Sequence, residues 1–494
     1  MKVAILSSHL LWSHHYETEL EIMQNHLNDG DEVLQLVCTG ELGICDSNLN
    51  HDFSRCLTCI SRREMGVSLL EGRVKQIKLL QYASAGHLKE AEQVKHVFDS
   101  LFHLQEFNID GYPIGYAVGS SLVSILRDST LDLEANGEKI RKYLQYSLLT
   151  YRAAQEFLKK EKPDRVYIFN GRLPVPRAML SACTDLGVEC MIHERGNNYR
   201  HYELFRNRLP QDLIFIQELI EEAWYNAPEP QRTQVGKDFY IERRKGAVQG
   251  WKSFIDQQSE GLIPANWDPT KHNIVIFNSS EDEFISCTDD WKNKLYMSQY
   301  DAIRLIAKEL SNDPDICLYL RAHPNLKSAS QSEKEALESM RLEPLTYIPP
   351  DSDVSSYALL DMASTVLVFN STMGIEATYW DKPSVLAGPS LYDRLGSNYI
   401  PTTHEEVMAL LRQRHLAPMP KEGAIKYGYY TNSFGIPFKH FEPEGFVEGK
   451  FKGVEVVPYH VRKISTLQHW ILKQGLLKPL HHILLRRHMK KPLI

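Results

Sequence analysis

Short apolar segments rich in β-branched residues alternate with longer amphipathic segments through most of this chain, and this alternation restricts its fold to the α/β class. Such a pattern is typical of parallel sheets covered by helices. In the first half it predicts a strand at 3–6, a helix at 16–27 and a strand at 32–37. The same order is predicted again, with a strand at 165–169, a helix at 176–186 and a strand at 189–192. A mainly helical insertion, at about 75–160, separates the two groups.

The second half repeats the strand and helix order after a region with weak strand signals. The predicted elements are a strand at 273–277, a helix at 299–310, a strand at 316–321, a helix at 355–362 and a strand at 365–369. Two α/β units joined by a hinge usually hold a ligand between them. The sequence therefore predicts two Rossmann-like domains that face each other across a cleft, with a helical insertion in the N-terminal half.

Domain boundaries follow from the same pattern. Pro228, Pro230 and Pro264 interrupt a stretch without a strong strand signal, which predicts a linker there. We expect an N-terminal Rossmann-like domain with a helical insertion at 1–228, a linker at 229–270, a C-terminal Rossmann-like domain at 271–425 and a C-terminal helical extension with a basic tail at 426–494.

Composition and charge exclude several classes of protein. Of the 494 residues, 43% are hydrophobic and 24% are charged, which excludes a disordered or fibrous chain. The formal net charge of −7 gives no general attraction to nucleic acid, so no nucleic-acid partner is expected. The amino terminus lacks the features of a signal peptide, and no apolar run reaches the roughly 18 residues of a membrane helix. We expect a cytoplasmic protein.

Polar clusters follow two predicted strands of the second half. The segment Ala322-His323-Pro324-Asn325 comes after one strand, and Asn370-Ser371-Thr372-Met373-Gly374-Ile375-Glu376 comes after another. In open α/β sheets, ligands bind beyond the carboxyl ends of the strands. Hydroxyl groups and an imidazole N–H there can hold a diphosphate, glycine permits a close approach, and the glutamate can hold a ribose hydroxyl. Capping of a helix by the two hydroxyls is the alternative interpretation.

These motifs resemble a known family. The block RAHPN, followed by SSYALLDMASTVLVFNSTMGIEATYWDKPSVLAGPSLYDRLG, is similar to the C-terminal half of bacterial capsule polysaccharide biosynthesis proteins, a group that includes Kdo transferases. The resemblance covers roughly residues 270–400 and implies a GT-B-like glycosyltransferase. The Gln-Pro motif of the retaining Kdo transferases is not found, so the resemblance does not extend to the Kdo donor or to the retaining mechanism. By matching position, it implies a nucleotide-sugar site formed by His323, Ser371, Thr372, Gly374 and Glu376.

Two strand ends of the first half carry further charged residues. Asn170-Gly171-Arg172 and His193-Glu194-Arg195-Gly196 both follow predicted strands. Glu194 is a candidate general base for an acceptor hydroxyl, as is Asp110, and Arg172 or Arg195 can bind phosphate. A structural ion pair between Glu194 and Arg195 is the alternative interpretation. His323 is a further candidate catalytic residue, because a preorganised N–H donor stabilises the leaving phosphate.

The loop after the first strand is a candidate acceptor site through Ser8, His9 and His14. His14 and His15 are adjacent and cannot share one face of a helix, which argues against a helical metal site. Positive helix ends, His323 and an arginine can take the place of a divalent cation beside the diphosphate. The nucleotide sugar is thus the co-substrate, and no catalytic metal is expected.

The cysteines at 38, 45, 56 and 59 include one C-x2-C pair. Four thiolates can close a tetrahedral zinc site, with Cys38, Cys45, Cys56 and Cys59 pinning an inserted loop to the second strand. Such zinc would be structural. A buried free thiol at Cys38 and an iron–sulfur cluster remain alternatives.

The last segment, at 473–494, contains six Lys or Arg residues and no acidic residue, interleaved with leucine and isoleucine. A basic amphipathic helix can lie on an anionic membrane surface, which would place the protein at the periphery of the inner membrane beside a lipid-linked acceptor. A solvated tail is the alternative.

Together these features predict a glycosyltransferase that moves a sugar from a nucleotide-activated donor to a surface polysaccharide such as capsule, O-antigen or exopolysaccharide. Two other functions remain open. A sugar-nucleotide epimerase of the same fold would need a nucleotide sugar and no acceptor, and a non-catalytic scaffold of a polysaccharide assembly complex would keep the fold without the chemistry.

Overall fold

A computed structural model describes residues 1–247, 249 and 254–456 of the chain. The chain divides into two compact units. The first unit contains Met1–Ser121, Asp132–Pro210 and the described residues from Gly435 onward, and the second contains Leu122–Leu131 and Gln211–Phe434.

The helices and strands are named in chain order. The elements before residue 211 are β1 (Lys2–Ser7), α1 (His15–Asn28), β2 (Glu32–Val37), α2 (Phe53–Ser68), β3 (Val74–Lys78), α3 (Ala85–Glu92), α4 (Leu101–Glu106), α5 (Ile114–Leu126), α6 (Gly137–Glu161), β4 (Arg165–Phe169), α7 (Pro174–Leu186), β5 (Glu189–Arg195) and β6 (His201–Arg206). The next are α8 (Leu213–Asn226), α9 (Gln231–Arg244), β7 (His272–Phe277), α10 (Gln299–Leu310), β8 (Ile316–Arg321), α11 (Gln331–Glu338), β9 (Leu345–Ile348), α12 (Ser356–Met362), β10 (Thr365–Val368), α13 (Met373–Tyr379), β11 (Ser384–Leu386), α14 (His404–Arg412) and α15 (Glu422–Ser433). Three short strands follow, β12 (Ile436–Pro437), β13 (Phe441–Pro443) and β14 (Gly449–Phe451).

The first unit is built on a sheet with the strand order β12-β6-β5-β4-β1-β2-β3. Strands β1 to β5 run parallel, whereas β6 and β12 are antiparallel to their neighbours. The core on one side of this sheet includes Val3 and Ile5 of β1 and Tyr16, Leu20 and Met23 of α1.

The second unit is built on a five-stranded parallel sheet with the order β11-β10-β7-β8-β9. Every residue of the central strand β7 is buried, as expected for a parallel strand with helices on both faces. When the strands of each unit are numbered in chain order, starting from β1 in the first unit and from β7 in the second, both sheets contain the strand order 3-2-1-4-5. This is the Rossmann order. The predicted α/β class with two Rossmann-like halves is confirmed.

Local sequence signals explain several helix boundaries. Ser298 precedes α10, and its side chain accepts the backbone N–H of Asp301. Ser355 precedes α12 and accepts the N–H of Ala358 in the same way. Serine at these positions satisfies a backbone donor that the first turn of a helix leaves without a partner. Both helices therefore begin within a residue of the predicted start.

The observed division of the chain differs from the predicted domain boundaries. The predicted linker at 229–270 contains α9, which packs in the second unit against α15. The two helices approach so closely that a Cβ atom on Gly428 would lie 2.3 Å from the carbonyl oxygen of Gly236. This close packing makes α9 part of the unit and not a connection between units.

The predicted C-terminal extension at 426–494 also differs from the observed structure. Beyond α15, the chain returns to the first unit, where β12 pairs with β6. The buried carboxylate of Glu21 accepts the backbone N–H groups of Lys439, His440 and Phe441 at 2.8 to 3.0 Å. The basic tail at 473–494 lies outside the described residues.

The predicted insertion at 75–160 is helical apart from its start, where β3 extends the first sheet. The polar residues of β3 lie at the edge of this sheet, and three of its five residues are exposed. In the part of the chain that the structure covers, no helix is both long and apolar enough to cross a membrane.

Candidate functional sites in the two units

The second unit has a pocket at the point where its strand order reverses, between β7 and β10. In open α/β sheets this is where the loops after the strands diverge and leave room for a ligand. The pocket encloses about 740 Å³, including the part that is open to solvent. We call it the β7/β10 pocket, and its polar lining consists of Arg243, Gln249, Gln258, Asn278, Arg321, His323, Ser356, Tyr357, Ser371, Thr372 and Glu376.

His323 is held in one position and in its neutral form. Its backbone N–H donates to the side-chain oxygen of Asn278 at 2.7 Å, and its Nδ1 accepts the backbone N–H of Asn325 at 3.2 Å. Burial, together with nearby arginines, lowers the pKa of His323 to about 4. Because Nδ1 accepts a hydrogen bond, the proton of the neutral ring is on Nε2. His323 therefore presents an N–H donor without a positive charge of its own.

Asn278 follows the last residue of β7 and is 1% exposed. Its side-chain oxygen accepts the His323 N–H, while its Nδ2 amide group has no hydrogen-bond partner among the described residues. A buried amide donor without a partner is costly in a folded protein. An acceptor atom of a ligand in the β7/β10 pocket would satisfy it.

A buried ion pair lies on another wall of the same pocket. Glu376 is 1% exposed, and its Oε1 lies 2.8 Å from Nε of Arg243. Its Oε2 accepts the hydroxyl of Tyr357 at 2.5 Å, and the hydroxyl of Thr372 lies 3.3 Å from Oε1. Burial lowers the pKa of Arg243, but the charge and hydrogen bond of Glu376 together with the hydroxyls of Tyr357 and Tyr427 outweigh this effect, so the pKa is raised.

Arg321 is the last residue of β8, and its side chain lines the β7/β10 pocket. Its guanidinium donates to the carbonyl oxygens of Ala322, Pro349 and Ser352. Burial lowers the pKa of Arg321 to about 10, so the side chain remains charged at neutral pH. These hydrogen bonds fix the Pro349-Pro350-Asp351-Ser352 loop next to the strand.

Gly374 differs from its predicted role, and Thr372 does not act as the helix cap of the alternative interpretation. Gly374 does not line the pocket, because a Cβ at this position would lie 2.5 Å from Val368 and 2.6 Å from the hydroxyl of Tyr392. The glycine is thus explained by the packing of α13 against β10 and not by a close approach to phosphate. Thr372 makes no capping hydrogen bond to α13 and instead accepts from Arg243 at 3.3 Å.

Ser371 lines the pocket, and its hydroxyl accepts the backbone N–H of Met373 at 3.3 Å. Asn370 is not part of the lining, and its Oδ1 is buried without a partner in the described part of the chain. The structure therefore brings His323, Ser371, Thr372 and Glu376 to one pocket, as predicted, and leaves Asn370 and Gly374 beside it.

The first unit has a pocket beyond the ends of β1 and β2. We call it the β1/β4 pocket, because its lining includes residues that follow β1 and also Val175 of α7, the helix after β4. It encloses about 710 Å³, and Ser8, His9, Asp46 and the four cysteines of the N-terminal region line it as well. His9 Nε2 lies 2.8 Å from the Asp46 carboxylate, and its Nδ1 lies 2.8 Å from the Ser8 hydroxyl. The side chains of His9 and Asp46 are 3% and 5% exposed. The carboxylate directs the ring proton to Nε2 and leaves Nδ1 as an acceptor.

Glu194 lies at the end of β5 and is partly exposed. Its Oε2 accepts the side-chain amide of Asn170 at 2.7 Å, and its Oε1 lies 3.7 Å from Nδ1 of His15. The structural ion pair with Arg195, which was the alternative interpretation, is not among the ion pairs of the described residues, although the backbone N–H of Arg195 donates to Glu194 at 3.0 Å. The Glu194 carboxylate therefore lies at the carboxyl end of β5 without an ion pair to Arg195.

The two arginines of this region have structural partners in the first unit. Arg195 donates to the carbonyl of Ser13 at 3.1 Å, and its guanidinium lies 4.2 Å from the ring centre of Phe446. Arg172 donates to the hydroxyl of Ser120 at 2.6 Å. Neither arginine lines the β1/β4 or the β7/β10 pocket.

Asp110 and His14 lie apart from both pockets. Asp110 is in an exposed turn and forms an ion pair with Arg152 at 2.5 Å. His14 is buried, and its Nε2 lies 3.1 Å from the carbonyl of Glu448. Burial lowers the pKa of His14. These surroundings are those of structural residues.

Cys38, Cys45, Cys56 and Cys59 all line the β1/β4 pocket and are free thiols. Burial, followed by neighbouring acidic groups, raises the pKa of Cys38 to about 12 and that of Cys45 to about 11. Within residues 1–247, 249 and 254–456, no group of three or more His, Cys, Asp or Glu side chains has the arrangement of metal ligands. The sequence thus predicted the cluster, and zinc binding remains a prediction.

Sequence reasoning missed Asn278, Arg243, Tyr357 and Asp46. Asn278 could have been found in the same way as Ser8, because each is a polar residue that directly follows a buried strand, β7 and β1 respectively. Arg243 and Tyr357 lie on helices, and their ionic and hydrogen-bonding partner, Glu376, is distant in sequence. Asp46 lies in a connection without regular secondary structure, where no local pattern marks it.

No protein-family model matches the sequence, and no curated protein matches it. Solved structures of similar fold include the KpsC β-Kdo 2,4-transferase of Thermosulfurimonas dismutans, with a TM-score of 0.38 and 13% identity over 54% of this chain and 80% of that chain. They also include the UDP-GlcNAc 2-epimerase of Neisseria meningitidis bound to UDP-GlcNAc, with a TM-score of 0.30 and 11% identity over 87% and 97% of the two chains. A third is MnaA of S. aureus with UDP, with a TM-score of 0.27 and 10% identity over 96% of each chain.

Proposed function

We propose that this protein is a glycosyltransferase whose second unit binds a nucleotide sugar in the β7/β10 pocket. One observation carries the proposal: a neutral His323 with its N–H on Nε2 lines the same pocket as the Asn278 amide, which has no partner among the described residues. Both are fixed hydrogen-bond donors. A phosphate or diphosphate supplies the acceptor oxygens that such donors require.

Each polar group has a role in this proposal. As the bond from the sugar to the nucleotide breaks, negative charge builds up on the leaving phosphate. Fixed donors such as His323 and Asn278 stabilise that charge more than they stabilise the bound donor, which lowers the barrier. Glu376 can accept a ribose hydroxyl besides its hydrogen bonds from Arg243 and Tyr357, because each carboxylate oxygen has two lone pairs.

The acceptor is proposed to bind the first unit, beside a group that can take a proton from its hydroxyl. Glu194, predicted from sequence, and His9, paired with Asp46, both have the chemistry of a general base. Asp110 is the weaker candidate, because its carboxylate is neutralised by Arg152 on an exposed surface. We propose a surface polysaccharide or its lipid-linked precursor as acceptor, with the basic tail at 473–494 attracted to an anionic membrane.

An epimerase of similar fold is the second candidate function. The β7/β10 pocket alone satisfies its need for a nucleotide sugar. The β1/β4 pocket favours the transferase, because it is a second pocket beyond the carboxyl ends of parallel strands, contains a His–Asp pair, and can bind a second ligand.

Nucleotide binding is tested first. Thermal unfolding is measured with saturating CMP, CDP, UDP, GDP or ADP for the wild type, for His323→Ala and for His415→Ala. His415 is an exposed histidine of the same unit and serves as the matched control. We expect one class of nucleotide to raise the melting temperature of the wild type and of His415→Ala, and not that of His323→Ala. No response of the wild type to any of the nucleotides would refute the donor site.

Product analysis then separates the two enzymes. The sugar nucleotide identified by the binding experiment is incubated with the protein, with and without a polysaccharide extract from the source cells. A transferase releases the free nucleotide faster when the extract is present. A new sugar nucleotide that forms without the extract and without release of the nucleotide would establish the epimerase instead.

A further inference from the structure

The four cysteines that line the β1/β4 pocket come from three different segments. Cys38 directly follows β2, Cys45 lies in the connection that leads to α2, and Cys56 and Cys59 lie on the first turns of α2. All four side chains line this one pocket, and Cys56 and Cys59 lie one turn apart on α2. The fold thus brings together side chains that the sequence separates.

The sulfur atom of Cys38 receives hydrogen bonds from the backbone. The N–H of Gly40 donates to it at 3.3 Å, and Leu42 supplies a second backbone hydrogen bond. Two N–H donors directed at one sulfur match the needs of a thiolate, which is a stronger acceptor than a neutral thiol. Such donors are also what fixes and tunes a metal-bound cysteine.

The same arrangement recurs at the next two cysteines. Cys45 receives backbone hydrogen bonds from Ser47 and Asn48, and the side-chain amide of Asn48 donates to Cys56 at 3.3 Å. The repetition at three sulfur atoms is not explained by apolar packing of free thiols, which requires no N–H donors.

Both arginines and carboxylates lie next to the cluster. Arg63 of α2 is largely buried; its guanidinium donates to the carbonyl of Cys38 at 3.1 Å and also pairs with Glu64 at 2.7 Å, while Arg55 and Asp46 line the pocket. Four thiolates and one divalent cation carry a net charge of about −2, and Arg55 offsets part of it.

The connection from β2 to α2 needs an anchor. No helix or strand occurs between Val37 and Phe53. Connections of more than roughly 12–15 residues without secondary structure are uncommon in compact domains unless they have a function. A metal ion bound by residues from both ends and the middle of this connection would fix its path.

We propose that Cys38, Cys45, Cys56 and Cys59 together bind one zinc ion, which joins the end of β2 to α2. Four sulfur ligands are typical of structural zinc sites and leave no open position for a substrate. On binding, each thiol releases its proton to solvent and becomes a thiolate ligand, and no electron is transferred. The sulfur atoms are not arranged as a closed ligand set in the described structure, so binding requires rotation of the cysteine side chains.

Zinc content is the first test. The full-length protein is purified without chelators, and its zinc is measured by mass spectrometry beside Cys38→Ser, Cys59→Ser and Cys317→Ser. Cys317 is a partly exposed cysteine of the second unit and serves as the matched control. We expect one zinc ion per chain in the wild type and in Cys317→Ser, and at least about tenfold weaker retention in the other two variants. Equal zinc in all four proteins would refute the proposal.

A second measurement does not depend on the folding of any variant. The wild type is stripped of metal and titrated with Co²⁺, and its absorption spectrum is recorded. Four-sulfur coordination gives sulfur-to-cobalt charge-transfer bands together with the intense visible bands of tetrahedral Co²⁺. Absence of the charge-transfer bands would refute thiolate coordination, and a brown purified protein with iron and acid-labile sulfide would replace zinc by an iron–sulfur cluster.

Discussion

Replacement of Glu376 with glutamine removes a buried negative charge but keeps the size of the side chain and one oxygen acceptor. The carboxylate pairs with Arg243 at 2.8 Å and accepts the hydroxyl of Tyr357 at 2.5 Å. Removal of one partner of a buried ion pair costs about 3–5 kcal/mol. Because glutamine still accepts a hydrogen bond, we expect the free energy of unfolding to fall by about 3 kcal/mol, near the lower limit of that range.

This loss is large enough to measure by thermal unfolding. For a unit of about 150–250 residues, 1 kcal/mol shifts the melting temperature by about 2–4 °C, so Glu376→Gln should lower it by about 6–12 °C. The neighbouring residue of α9 offers a matched control, because Arg244 pairs with Asp361 in a partly exposed site, at 3.0 Å between Nη1 and Oδ1. An exposed pair contributes only about 0–1 kcal/mol, so Asp361→Asn should change the melting temperature little.

A double-mutant cycle isolates the pair itself. Arg243→Met alone leaves the Glu376 carboxylate buried without its cation, whereas the double variant with Glu376→Gln removes both charges. We therefore expect the double variant to be more stable than the sum of the two single losses predicts, by about 2 kcal/mol. If Glu376→Gln lowers the melting temperature no more than Asp361→Asn, the buried ion pair does not stabilise the unit and the reasoning is refuted.

Three further predictions concern other residues. Because the pKa of His323 is lowered to about 4 from 6.5, the unfolded chain binds more protons between these values, so stability should fall as the pH decreases from about 6.5 to 4; thermal unfolding of wild type and His323→Gln against pH checks this, and equal slopes would contradict it. Gly374→Ala should cost about 1–3 kcal/mol, because the added Cβ would lie 2.5 Å from Val368; an unchanged melting temperature would contradict the packing argument. If His9 is the base, Asp46→Asn should lower kcat by about 10²–10⁴-fold and leave nucleotide affinity unchanged; full activity of this variant would exclude that role.

Much of the core of each unit could be predicted because local patterns dominate there. The limits of α10 and β8 agree with the predicted ranges, since a serine cap and a run of apolar residues mark them. His323, Ser371 and Glu376 were found because polar residues that follow buried strands face the same edge of a parallel sheet. The return of the chain to the first unit was not predicted, because β12 contains two residues and pairs with a strand far away in sequence.

Residues whose roles depend on distant partners were also missed or misassigned. Asp110 and Arg172 have the side chains that catalysis needs, but the ion pair with Arg152 and the hydrogen bond to Ser120 become visible only in the folded chain. Gly374 was assigned to the ligand because glycine permits both a close approach to a ligand and close packing. The sequence pattern is the same in the two cases.

The return of the chain beyond Gly435 has a consequence for synthesis on the ribosome. All described residues of the second unit precede Gly435, so this unit can fold before the first unit is complete. Until Lys439, His440 and Phe441 emerge, the carboxylate of Glu21 lacks the three N–H groups that satisfy it in the finished protein. We therefore expect a nascent chain released before this segment to have a folded C-terminal α/β unit and an N-terminal sheet that is open to protease and to chaperones.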